Sequence, residues 1–133
     1  MSNEKKSQVT MEFIFLIGFV FLFSMGFLIA AGIQLKDFSD NKKVNAINDF
    51  GESLRGELDI ASVVKNGYSR TISLPDMIDN SINYSLQTNN FTLIVSTDDY
   101  EFSAIIPPTF GELKKGENTI SRINNTVVIK NLE

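Results

Sequence analysis

Two residue types that carry much of protein chemistry are missing from this chain. The 133 residues include no cysteine and no histidine. Without cysteine there is no disulfide and no thiolate-based zinc or redox site. Without histidine the commonest general base and the commonest metal ligand are gone. Proline is absent before Pro75, so no pyrrolidine ring interrupts a helix in the first 74 residues. Positive charge is sparse, at 12 basic against 16 acidic side chains. Beyond residue 7 the balance is 10 to 15, a net −5. No basic patch is available to neutralise phosphates, which argues against nucleic acid as a partner. Nucleophile–base pairs, glycine-rich phosphate loops and metal-ligand sets are also lacking. The expectation is a protein that is not an enzyme, with no cofactor and no metal.

Charge itself is missing from one long stretch. Between Glu12 and Lys36 there is none. The apolar run Phe13 to Ile33 is 21 residues, interrupted only by Ser24 and three glycines. As a helix it spans roughly 32 Å, about the hydrocarbon thickness of a bilayer. A soluble helix of this length is rarely apolar on all sides. The mean hydropathy of +0.01 is thus an average over two unlike parts. Lys5 and Lys6 stand on the short N-terminal side, so the positive-inside rule puts the N-terminus in the cytoplasm and residues 34–133 outside. One carboxylate, Glu12, sits at the mouth of the apolar run. A charge at the edge of hydrocarbon is costly, so a retained one points to function.

The helical pattern continues past the apolar run. From Ile47 onward Phe50, Leu54, Leu58, Ala61 and Val64 recur every three or four residues, one face of a helix. Asn48, Asp49, Glu52, Ser53, Arg55 and Glu57 make the opposite face. One helix from about Thr10 to about Val64 is expected, roughly 80 Å long. Its weak points are Phe38-Ser39-Asp40-Asn41, Gly51 and Gly56. Asn66-Gly67 is the stop signal. After Gly67 the period changes to 2. The alternating sets are Ile72/Leu74, Ile82/Tyr84/Leu86, Phe91/Leu93/Val95 and Tyr100/Phe102/Ala104/Ile106. Asn124-Asn125 joins Ile120–Ile123 to Thr126–Ile129 in a tight hairpin, because asparagine tolerates positive φ. Five or six short, mostly antiparallel strands are expected, with residues 107–118 as a long surface loop. The amphipathic half of the helix is the lid that the half-apolar sheet requires. The fold class is therefore α+β, a long N-terminal helix packed on a small antiparallel sheet.

A spine helix, apolar then amphipathic, followed by a small sheet resembles the type IV pilins. Gln8-Val9-Thr10-Met11-Glu12-Phe13 after a basic stub is similar to the class III signal peptide of archaeal pilin-like proteins, with Thr10 where that motif has serine. The resemblance covers residues 5 to about 35. It implies that a prepilin-type peptidase cuts between Ser7 and Gln8, where the family carries Gly or Ala before the cut. It implies a leader 1–7, a transmembrane and filament-core helix 8–34, an amphipathic extension 35–66 and an extracellular β-domain 67–133. It also implies self-assembly with other pilins into a cell-surface filament, driven by an assembly ATPase and a membrane platform protein. Glu12 becomes the fifth mature residue, placed to pair with the new α-amine of a neighbouring subunit and so set the assembly register. Read alone, it is equally an acid at the membrane interface.

Phe15, Phe19, Phe23 and Phe27 recur at four-residue spacing, as a packing ridge or as a lipid-facing stripe. Asn83, Asn90 and Asn124 each open an Asn-x-Ser/Thr acceptor pattern for N-glycosylation, on a polar strand side or in a turn. Asp98, Asp99 and Glu101 read as a solvated turn rather than a Ca²⁺ site. The alternative to a pilin is a membrane-anchored extracellular binding or adhesion protein that does not polymerise. An ordinary secreted domain, cut near Ala30-Ala31-Gly32, is disfavoured by Glu12, since acids are unusual at the start of a secretory core.

Overall fold

The computed structural model describes residues 2–132, with side chains from Gln8 onward. One helix, α1, covers Ser2–Val63 without interruption at Phe38–Asn41, at Gly51 or at Gly56. Nine strands follow: β1 Ser69–Leu74, β2 Met77–Ile78, β3 Ile82–Asn83, β4 Ser85–Asn89, β5 Thr92–Ser96, β6 Glu101–Ile105, β7 Thr109–Phe110, β8 Gly116–Ile123 and β9 Thr126–Asn131. The architecture is α+β, with the helix packed against antiparallel-rich sheets. The chain divides into two units, Met1–Asn41 and Lys42–Glu133.

The second unit is built around the helix face legible in the sequence. Ile47, Leu54, Leu58 and Ala61 are buried, and Phe50 is half-buried beside them. They join Leu93, Val95 and Phe102 from one sheet and Ile120, Val127 and Ile129 from another in a single core. The polar face stays in solvent, where Arg55 lies 3.6 Å from Glu52 and 3.7 Å from Asp59. Arg70 on β1 reaches Glu57 on the helix at 3.0 Å. The phenol of Tyr84 is buried against Phe50 and donates to the Pro75 carbonyl.

The strands depart from expectation in three places. Instead of one small sheet there are three: β1-β8-β9-β7, β2-β3 and β4-β5-β6. Residues 107–118 are largely exposed, as expected, but they are not all loop. They contain β7, which pairs in parallel with β9, and they bury Thr109, Leu113 and Asn118. Asn118 pins this connection from within. It is 0% exposed, yet its Oδ1 accepts from the Lys114 N–H at 2.9 Å and from Asn131 at 2.7 Å, and its Nδ2 donates to two carbonyls. A buried polar side chain so satisfied carries no desolvation debt. Third, Phe91 does not share a face with Leu93 and Val95. Asn89 pairs with Thr92, so Asn90 and Phe91 are the two turn residues, and Phe91 is exposed. The Asn124-Asn125 hairpin forms as expected, with φ of 49° and 66°.

The helix ends at Val63, and the chain then turns at Gly67, whose φ of 94° is accessible to glycine at little cost. No basic residue lies in the last turn. The cap comes instead from a strand: the guanidinium of Arg122 on β8 donates to the Val64 carbonyl, and Gly67 N–H donates to the Arg122 carbonyl at 3.0 Å. A cation on the last carbonyls opposes the negative end of the helix dipole. Arg122→Met should therefore lower the stability of residues 42–132 by about 1–2 kcal/mol, read from the urea midpoint.

Burial, and secondly the charge of Asp76, push the Tyr84 phenol up from 10.0 to about 12. The folded state thus holds this proton more tightly than the unfolded chain does. The stabilisation is complete below pH 10 and is lost as pH rises towards 12. The urea midpoint should fall across that window in the native chain, and Tyr84→Phe should flatten that part of the decline.

Candidate functional site

The first unit carries no fold of its own beyond its helix, so its chemistry lies in what that helix presents. Its most apolar 18-residue window has a mean hydropathy of 2.7, and none of it is buried. The helix is long and apolar enough to cross a membrane. Every backbone N–H and C=O inside an uninterrupted helix is paired within the segment, which is what hydrocarbon demands.

Four phenylalanines, Phe15, Phe19, Phe23 and Phe27, are between 61% and 75% exposed. Three of them, Phe19, Phe23 and Phe27, converge with Leu22 and Gly26 on one apolar groove of about 540 Å³. Phe15 lies outside it. Gly26 opens the groove floor, since a Cβ there would meet nothing within 4 Å. Successive four-residue steps form a ridge that precesses slowly round the helix, and ridges of this kind fit the grooves of a second helix.

Gln8, Thr10, Glu12 and Phe13 all belong to α1 and are exposed. Gln8 and Glu12 are one turn apart on one helix face. Glu12 forms no ion pair among the described residues, and the next charge along the helix is Lys36. Ser7 and the rest of the expected leader, residues 1–7, lie outside the residues whose side chains are described.

The three glycosylation patterns sit at different kinds of place, and all three asparagines are exposed. Asn83 ends β3, and its Oδ1 accepts a hydrogen bond from Lys115 Nζ at 3.0 Å. That ammonium also stands 4.6 Å from the Tyr84 ring centroid. Asn124 is the first residue of the β8–β9 turn, with positive φ. Asn90 is the first residue of the β4–β5 turn and borders a surface groove of about 560 Å³. That groove also takes in Phe91 and Phe110. Periodicity missed it, because alternation had placed Phe91 inside and residues 107–118 carried no strand signal. Among the described residues, no group of three or more Asp or Glu side chains is arranged to hold a metal ion. The chain matches no known protein family, no characterised protein and no solved structure.

Proposed function

We propose that this chain is a structural subunit, a pilin, of an archaeal type IV pilus-like surface filament. One observation carries the reading: an apolar stretch of helix whose most apolar window has no buried residue, with a single carboxylate at its mouth. A surface of that size must be covered by lipid, by other helices, or by each in turn. A pilin uses both. It waits as a single-pass membrane protein, N-terminus in the cytoplasm, and then moves into a helical bundle. Lipid and protein are equally apolar, so the transfer gains little from the hydrophobic effect, and packing and charge pairing must give it direction. The Phe19–Phe23–Phe27 ridge supplies the first, and Glu12 against a neighbour's Gln8 α-amine supplies the second. The β-bearing unit then forms the outer, adhesive surface. A prepilin peptidase, an assembly ATPase and a membrane platform protein are the partners this route requires.

Processing is the first test. Mass spectrometry of the membrane-bound protein should find a mature N-terminus at Gln8 with the apolar helix retained, and sheared filaments should contain the same species. A terminus near Ile33 would remove the proposal. Correct cleavage with the protein confined to the membrane would instead identify an anchored surface protein that does not polymerise.

A further inference from the structure

We propose that Asn90 is an N-glycosylated residue and that its sugar lies in the groove between Phe91 and Phe110. The inference rests on the outward placement of residues 42–132 in the proposed function. It stands on three observations.

The first is the availability of the side chain. Asn90 is held through its backbone, whose carbonyl accepts from the Thr109 N–H at 3.0 Å, while its amide is exposed and makes no hydrogen bond among the described residues. Asn83 is different, because Lys115 already occupies its oxygen. The second is the turn. Asn90 and Phe91 form the tip of a two-residue hairpin, and both have negative φ. The acceptor is thus presented on an exposed turn with ordinary backbone, whereas Asn124 is committed to a φ of 49°. The third is what surrounds it. Phe91 is 59% exposed and Phe110 72% exposed, and both line the groove that Asn90 borders, together with Asn89, Thr92 and Glu112. Two bare aromatic rings beside free polar groups suit a pyranose. Its C–H face meets the negative face of a ring, and its hydroxyls find amide and carboxylate partners at the rim.

The attachment itself is a substitution at the anomeric carbon. The donor is a saccharide carried on a lipid phosphate. A bond forms from Asn90 Nδ2 to the anomeric carbon, the bond from that carbon to the phosphate oxygen breaks, and the phosphate leaves with the electron pair. The amide proton is released. The product covers two exposed phenylalanines with a hydrated group, which raises solubility there.

The test uses the full chain isolated from its own cells. Glycopeptide mass spectrometry should find a saccharide on the peptide containing Asn90, at several-fold higher occupancy than at Asn83 or Asn124. Asn90→Gln and Thr92→Val should each abolish it, the second while keeping Asn90. Hydroxyl-radical footprinting should then show oxidation of Phe91 and Phe110 rising several-fold in Asn90→Gln, with exposed Ile123 unchanged as the control. A membrane-impermeant amine reagent applied to whole cells separates the two ways of failing. Labelling of Lys114 or Lys130 without sugar on Asn90 overturns this inference and leaves the outward reading standing. No labelling from outside overturns both. Sugar on Asn90 with no change in oxidation overturns the seat in the groove, as does protection that persists in Asn90→Gln, which would mean that another molecule covers it.

Discussion

Glu12→Gln is expected to leave the chain in the membrane and to keep it out of filaments. The substitution nearly preserves shape and removes one charge from the boundary of an apolar helix, so insertion should be unharmed. If the carboxylate pairs with a neighbour's α-amine in the filament core, its loss leaves that amine buried and alone. Breaking a buried pair from one side costs about 3–5 kcal/mol, which lowers incorporation roughly a hundredfold or more. Cleavage between Ser7 and Gln8 should continue, provided the peptidase does not read Glu12. Glu4→Gln, in the segment that the proposed cleavage discards, should change nothing. The quantity to measure is subunit in sheared filaments relative to membrane. Normal incorporation of correctly cleaved Glu12→Gln protein would sink the pairing mechanism.

Gly51→Val should destabilise the second unit strongly, although helix propensity alone favours it. Gly51 is buried, and a Cβ added there would lie 2.2 Å from Cδ1 and 2.6 Å from Cγ of Phe102. Those are ring atoms of a buried side chain on β6, so helix and sheet must shift apart to make room. Overpacking of this kind typically costs 1–3 kcal/mol, and a branched side chain belongs at about 3. Gly56 is the internal control, because a Cβ there meets nothing within 4 Å. Gly56→Ala should raise stability by about 0.5–1 kcal/mol through propensity alone. Urea unfolding of a chain starting at Lys42 measures both. Equal, stabilising effects at the two glycines would mean that Phe102 does not press on the helix.

The same glycine shows where sequence reading stops. Gly51 registers as a weak point in a helix because propensity scores what the residue lacks, whereas its role depends on a ring 51 positions later. The helix face itself was legible, since Ile47, Leu54, Leu58 and Ala61 meet a periodicity that burial enforces. So was the Asn124-Asn125 hairpin, whose backbone demand is local. The β7 strand was not, because two residues paired in parallel carry no period. Phe91 was misplaced because alternation was carried one residue too far, into a turn whose only signals were Asn89 and Asn90. In the candidate site, Glu12 stood out as a lone charge against hydrocarbon. The Phe91–Phe110 groove stayed hidden because sheet pairing, not sequence proximity, assembles it.

The pairing of β1 with β8 has a temporal consequence. Ser69 finds its partner at Ser121, and the sheet is completed by β9, which ends at Asn131. Contacts between positions so far apart along the chain form slowly, because the intervening segment must first be closed into a loop. Until the last strand has emerged from the ribosome, the four-stranded sheet lacks its central pair. The polypeptide therefore stays pliable while it is being made, and it locks only once the whole of it is available to fold.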